Sequence, residues 1–83
     1  MNDLAQRFES AATKAKGLPK QSNDILLKLY ALYKQSTNGD VSGKRPGTFN
    51  LTGRAKYDAW AKLEGTASET AMEQYIQLVE DLS

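Results

Sequence analysis

The feature that most constrains this chain is an apolar stripe in its second quarter. Ile25, Leu26, Leu29, Tyr30 and Tyr33 fall at helical spacing, and Leu27 and Leu32 widen the stripe beyond one core contact. Ser22 is placed to cap this helix and Asp24 lies in its first turn, where a carboxylate favours the positive dipole end. A helix this apolar in a chain of 83 residues needs cover on more than one side. Either neighbouring helices supply it, or the surplus lines a groove for a ligand. Periodicity leaves both readings open.

The stretch after it is the second constraint. Asn38-Gly39-Asp40 ends the helix, and the residues from Thr37 to Asn50 pass without helical or strand pattern, punctuated by Gly39, Gly43, Pro46 and Gly47. A connection of this length inside a small domain is functional or disordered. Phe49 and Leu51 at its far end predict an ordered loop anchored on the body.

The flanks read as helices too. Asp3-Leu4-Ala5-Gln6 has the capping-box pattern, and Leu4, Phe8, Ala11, Ala12 and Ala15 carry a first helix to about Lys16, before Gly17 and Pro19. Asn50 or Thr52 caps a third helix bearing Arg54, Lys56, Tyr57, Trp60 and Leu63, which Gly65 terminates. Thr66-Ala-Ser-Glu69 is a second capping-box pattern, opening a fourth helix with Ala71, Met72, Tyr75, Ile76, Val79 and Leu82. The reading is one all-α four-helix domain over residues 1–83, with a long connection between helices 2 and 3.

Residue types exclude much chemistry. The chain has no cysteine and no histidine, so thiolate, Ser–His and Cys–His mechanisms are impossible. Asp58, Glu64, Glu69 and Glu73 are spread along helices, with Asp58 spaced to pair with Lys62. Gly43-Lys-Arg-Pro-Gly47 matches no phosphate-loop pattern. We therefore expect no enzyme, no catalytic residue, no bound metal and no cofactor. No stretch reaches the ~20 apolar residues of a membrane span. The first residues lack signal-peptide character, and with the missing cysteines this sets a cytoplasmic location as the expectation.

Charge points to a ligand. From Lys14 to Lys62 there are ten Lys/Arg and three Asp, a balance of +7; the remainder has one Arg and seven acids, a balance of −6, which together give the net +1. A positive middle between acidic ends suits an anionic ligand. Tyr30, Tyr33 and Lys34 share one helical face, and Lys56 converges on it if helices 2 and 3 are neighbours. Flat rings, hydroxyl donors and cations suit a nucleotide. Trp60 reads as core. A pI of about 7.9 argues against nucleic acid. A small anionic amphiphile, with its head on the basic aromatic face and its tail on the surplus leucines, uses more of the sequence.

At this point the chain resembles the acyl-CoA-binding proteins. The resemblance rests on Tyr30-x-x-Tyr33-Lys34-Gln35-x-Thr37-x-Gly39-Asp40, Arg45-Pro46-Gly47, Lys56-x-Asp58-Ala59-Trp60 and Gly65-Thr66, continuing through Ala71-Met72 and Tyr75-Ile76 and back to Phe8, Ala11 and Ala12. It covers nearly the whole chain, in order. It implies an up-down-down-up four-helix bundle and a non-catalytic intracellular carrier of medium- to long-chain fatty acyl-CoA for lipid metabolism. By that resemblance Tyr30, Lys34 and Lys56 hold the adenine nucleotide and its 3′-phosphate. Tyr33, Tyr75 and Lys16 are further contacts, backbone around Ala11 and Ala12 lies against adenine, and Leu26, Leu27 and Leu29 cover the acyl chain. Ala31 and Leu32 are carried over as ligand residues as well. Phe8, Ala12, Ala15 and Leu18 are expected to face Tyr75, Ile76, Val79 and Leu82 in the core. Expected partners are long-chain acyl-CoA and, transiently, acyl-CoA-using enzymes or membranes, with the chain a monomer and no nucleic acid involved. Departures fall at Tyr57, where the family often has Trp, at Thr52, where it has Lys, at Ala15, where valine is usual, at Arg54, and in the short Leu18–Ser22 loop. The alternative is a helical module for protein interaction or membrane surfaces that has kept the fold without the ligand.

Overall fold

The described residues of the computed structural model are 3–83, and they form four helices and no strand. These are α1 (Asp3–Ala15), α2 (Asn23–Asn38), α3 (Leu51–Ala61) and α4 (Ser68–Leu82). α4 packs against α1 and α2, and α2 packs against α3. The helices therefore stand in the order α1, α4, α2, α3, a flat arrangement with extents of 41 × 28 × 15 Å. This is the all-α four-helix bundle expected from the sequence, with its long connection between α2 and α3.

Helix ends follow local chemistry. The Ser22 hydroxyl accepts from the Ile25 N–H at 3.2 Å, as expected of the cap. Gly39 closes α2 with φ of +81°, a left-handed position that a side chain would strain, and its N–H donates to the Gln35 carbonyl. Asn50, and not Thr52, caps α3, accepting from the Gly53 N–H at 2.9 Å. A Cβ on residue 53 would come within 2.5–2.8 Å of the Asn50 amide, so glycine there lets the cap close.

The second capping box does not form. The cap of α4 is Ala67, and no side chain bonds there. Thr66 and Gly65 are instead drawn into a network centred on Gln35, which is fully buried. Gln35 Nε2 donates to Asp40 Oδ1 at 2.9 Å and to the Thr66 carbonyl at 2.7 Å, and Asp40 Oδ1 also accepts from the Gly65 N–H at 2.8 Å. The C-terminal end of α2, the start of the loop and the entry to α4 are thus tied at one amide.

The connection between α2 and α3 is ordered, but not by Phe49 and Leu51, which are 103% and 74% exposed. Three side chains on α3 fasten it. Trp60 Nε1 donates to the Gly39 carbonyl at 2.8 Å, the Tyr57 hydroxyl to the Gly43 carbonyl at 3.1 Å, and Arg45 makes a two-bond contact with Asp58 at 2.8 and 2.7 Å. Asp58 therefore pairs with Arg45 and not with Lys62. The length of the loop has a geometric reason. α2 and α3 run the same way, so the chain must return along α2, about 24 Å for 16 residues. Residues 39–50 span at most ~40 Å when extended, enough for that return and its bends.

The core joins Phe8 and Ala11 of α1, Leu32 of α2, and Ala71, Tyr75, Ile76 and Val79 of α4, with Leu4, Ala12, Ala15, Leu29, Leu63, Met72 and Leu78 packed around them. Phe8, Ala12 and Ala15 face Tyr75, Ile76 and Val79 as expected, while Leu18 and Leu82 lie outside this cluster at intermediate exposure. Trp60 is buried, in line with the core reading.

The carboxyls of Asp40 and Asp58 are held below the ordinary 3.8, the first by hydrogen bonds from the Gly65 N–H and Gln35, the second by its bonds to Arg45. A carboxyl depressed in the folded state stabilises above its unfolded value and loses that contribution as pH falls through the folded value. Asp58→Asn is thus expected to lower the urea midpoint at about pH 6, and the gap to the parent protein should close as pH drops below 3.8. A gap independent of pH would detach the loop tether from the carboxylate charge.

Candidate functional site

Both α1 and α2 pack on α4, yet they do not pack closely on each other. Three rings hold them apart. Phe8 stacks on Tyr33 with centroids 5.6 Å apart and meets Tyr75 edge-on at 5.1 Å, and Tyr33 lies 6.1 Å from Tyr75. Above this wedge opens a cleft of about 400 Å³, lined by Ala12, Thr13, Ala15 and Lys16 of the first helical arm, Leu29, Tyr30 and Tyr33 of α2, and Tyr75. The small Ala12 and Ala15 leave the space that larger side chains would fill. Tyr75 forms the buried floor; burial, reinforced by Tyr33, pushes its phenol above the ordinary 10.0, so it stays a neutral hydroxyl at physiological pH.

A second cleft of about 350 Å³ opens between the N-terminal halves of α2 and α3, lined by Asn23, Leu26, Leu27, Leu51, Thr52, Ala55 and Lys56. Its walls are mostly aliphatic. The two clefts are joined by Lys56, whose ammonium lies 5.3 Å from the centre of the Tyr30 ring. A cation over a phenol face is favourable by about 0.5–1 kcal/mol when exposed. It leaves the ammonium within reach of an anion in the first cleft.

Of the residues expected from the sequence, Ala12, Lys16, Leu29, Tyr30, Tyr33 and Tyr75 come together in the aromatic cleft, and Leu26, Leu27 and Lys56 in the aliphatic one. Lys34 lines neither; its ammonium rests 4.8 Å from the Trp60 ring. Ala11, Ala31 and Leu32 line neither cleft with their side chains. Ala31 and Leu32 are 3% and 2% exposed, their side chains committed to packing, and they border a separate recess with Leu27, Lys28 and Leu63. The Ala11 side chain is buried against α4 and borders a groove on the far face of α1. That groove, about 510 Å³, is larger than either cleft. It is lined by Asp3, Arg7, Lys14 and Glu80 among others, holds no aromatic ring, and mixes both charge signs, so it offers an anionic amphiphile no matched surface.

Leu51, Thr52, Ala55, Thr13 and Asn23 line the clefts without having been singled out as ligand residues. Leu51 and Ala55 are spaced i,i+4 on α3, a signal visible in the sequence once α3 is known to flank α2. The open question about the surplus leucines resolves both ways. α2 is covered by α4 on one side and α3 on another, and Leu26, 50% exposed, still lines a groove.

A flat all-helical bundle with two linked clefts of contrasting character defines a small ligand-binding domain. Comparison with known proteins places it. A family model described as Acyl CoA binding protein matches residues 5–79. The chain is 50% identical over 80 residues to an acyl-CoA-binding protein of Ricinus communis, spanning 95% of this chain and 89% of that one. It is similar in structure to acyl-CoA-binding protein 2 of Oryza sativa, with a TM-score of 0.92, 51% identity, and coverage of 95% and 89% of the two chains. The solution structure of the yeast acyl-coenzyme A binding protein matches with a TM-score of 0.75, 48% identity and coverage of 94% and 92%. The chain belongs to the acyl-CoA-binding protein family.

Proposed function

We propose that the chain is a non-catalytic carrier of medium- to long-chain fatty acyl-CoA thioesters. In this reading the nucleotide lies in the aromatic cleft and the acyl chain in the aliphatic one. The single observation behind it is the junction at Lys56, which joins a cleft of three tyrosines and Lys16 to a cleft of leucines. The names of the relatives point the same way. Lys34 leaves the Trp60 ring to meet phosphate, exchanging a cation–ring contact for a stronger charge-assisted hydrogen bond. Each methylene covered contributes ~0.8 kcal/mol, so head and tail reinforce each other through one covalent ligand. The carrier acts as a cytoplasmic monomer that hands its ligand to acyl-CoA-using enzymes or membranes.

Amide shift mapping by NMR tests the division of labour. Free coenzyme A should perturb Tyr30, Tyr33 and Tyr75 and leave Leu26, Leu27 and Leu51 in place, whereas palmitoyl-CoA should perturb both sets. Shifts concentrated on Arg7, Lys14 and Glu80 would move the site to the far groove and overturn the assignment.

A further inference from the structure

Phe49 is the most exposed large apolar residue among the described residues, at 103%, and Leu51 and Leu26 follow at 74% and 50%. Scattered apolar residues on a surface need no account, but these are not scattered. Leu51 and Leu26 are opposite walls of the aliphatic cleft, and Phe49 stands two residues before Leu51. Nor is Phe49 out in water because its loop is loose. The segment is fastened by the Arg45–Asp58 pair, the Tyr57 hydroxyl and the Asn50 cap, and the Asn50 N–H donates to the Gly47 carbonyl at 3.0 Å. The fold holds a phenyl ring outward beside the mouth of an apolar cleft.

The charge of the same segment names the surface it fits. Between Val41 and Tyr57 lie Lys44, Arg45, Arg54 and Lys56 and no carboxylate; Arg45 is neutralised by Asp58 and Lys56 turns to the Tyr30 ring, which leaves Lys44 and Arg54. An exposed aromatic knob on a segment that carries cations and no carboxylate matches the boundary of an anionic bilayer, where the ring enters the headgroup–acyl region and the cations meet phosphate.

We propose that Phe49, with Leu51 beside it, is a docking knob for anionic lipid bilayers, seating the mouth of the aliphatic cleft against the acyl layer. The purpose of such docking, transfer of an acyl chain between bilayer and cleft, rests on the carrier reading. The affinity of the surface for lipid does not. Docking is weak and reversible, since one ring and two cations fall far short of a stable anchor. Its energy divides between apolar insertion and salt-sensitive charge, and each part has its own variant.

Flotation of the full chain with phosphatidylcholine vesicles, with and without phosphatidylserine, is the test. The parent protein should float with the anionic vesicles and be released by salt. Phe49→Ser should lower the partition coefficient about tenfold and Lys44→Gln about fivefold. Neither residue lines a cleft, so both variants should keep the palmitoyl-CoA affinity measured in solution, and circular dichroism confirms that they remain folded. A parent protein that does not float, or a Phe49→Ser variant that floats like the parent, overturns the proposal, the latter assigning the ring to another partner such as an acidic protein. Flotation that depends on Phe49 in a chain that binds no palmitoyl-CoA would sustain the lipid surface and remove the carrier function instead.

Discussion

Replacing Tyr30 with alanine is expected to weaken palmitoyl-CoA binding about thirtyfold while the melting temperature stays within a few degrees of the parent. The ring is half-buried and lies outside the core cluster, so its loss opens no internal cavity. What disappears is the flat surface on which a base stacks, worth ~1–3 kcal/mol per base. The perch that aims Lys56 goes with it, since that ammonium lies 5.3 Å from the ring centre. About 2 kcal/mol corresponds to the thirtyfold loss. Calorimetry gives the affinity and circular dichroism the melting curve. A folded variant that binds as tightly as the parent would take the nucleotide out of the aromatic cleft.

Gln35→Ala is expected to have the opposite signature, a stability loss of about 3 kcal/mol without direct damage to the clefts. Gln35 is fully buried and its amide joins Asp40 on the loop to the Thr66 carbonyl before α4. Alanine removes both bonds, takes from the Thr66 carbonyl its Gln35 donor, and leaves a cavity where the buried amide stood. The site is already imperfect, because Oε1 has no partner among the described residues. For a domain of this size about 3 kcal/mol lowers the melting temperature by roughly 12–24 °C. A drop below about 4 °C would mean that the network ties the three segments only loosely. Gln35→Glu is the sharper variant, since it sets a buried carboxylate against Asp40 and a carbonyl oxygen, and it should fold only in acid.

Local rules in the sequence disclosed the helices, and non-local bonds decided the rest. Ser22, Asn38-Gly39 and Asn50 announced helix ends through contacts within four residues, and each stands where the pattern put it. The pattern Thr66-Ala-Ser-Glu69 is equally regular and fails: α4 takes Ala67 as its cap, the Thr66 N–H that Glu69 would meet donates to the Leu63 carbonyl, and Gln35, some thirty residues away, holds the Thr66 carbonyl. Asp58 was assigned by the i,i+4 rule to Lys62, but the two-bond geometry of Arg45 across thirteen residues prevails. Phe49 and Leu51 misled for a related reason. Apolar side chains at a loop end were read as anchors, whereas the loop is held by polar bonds to α3 and leaves these two free.

The candidate site divides along the same line. Tyr30 and Tyr33 share a face by spacing alone, and Tyr75 and Lys16 reach it because α1 and α2 both lean on α4. Leu32 was one of several leucines on a broad stripe, and no spacing distinguishes it from Leu26. Packing on α4 buries Leu32 at 2% exposure and leaves Leu26 at 50%. Lys34 lies on the predicted helix, yet its ammonium turns to Trp60, a contact between helices that no pattern within α2 encodes.

A calorimetric titration of the chain with palmitoyl-CoA, run beside free coenzyme A and free palmitate, tests the central claim most directly. The joined clefts predict tight one-to-one binding of the thioester, with each fragment weaker by orders of magnitude, because neither half engages both surfaces. No heat and no thermal stabilisation with the thioester, under conditions where the chain is folded, would leave the bundle intact and contradict its role as an acyl-CoA carrier.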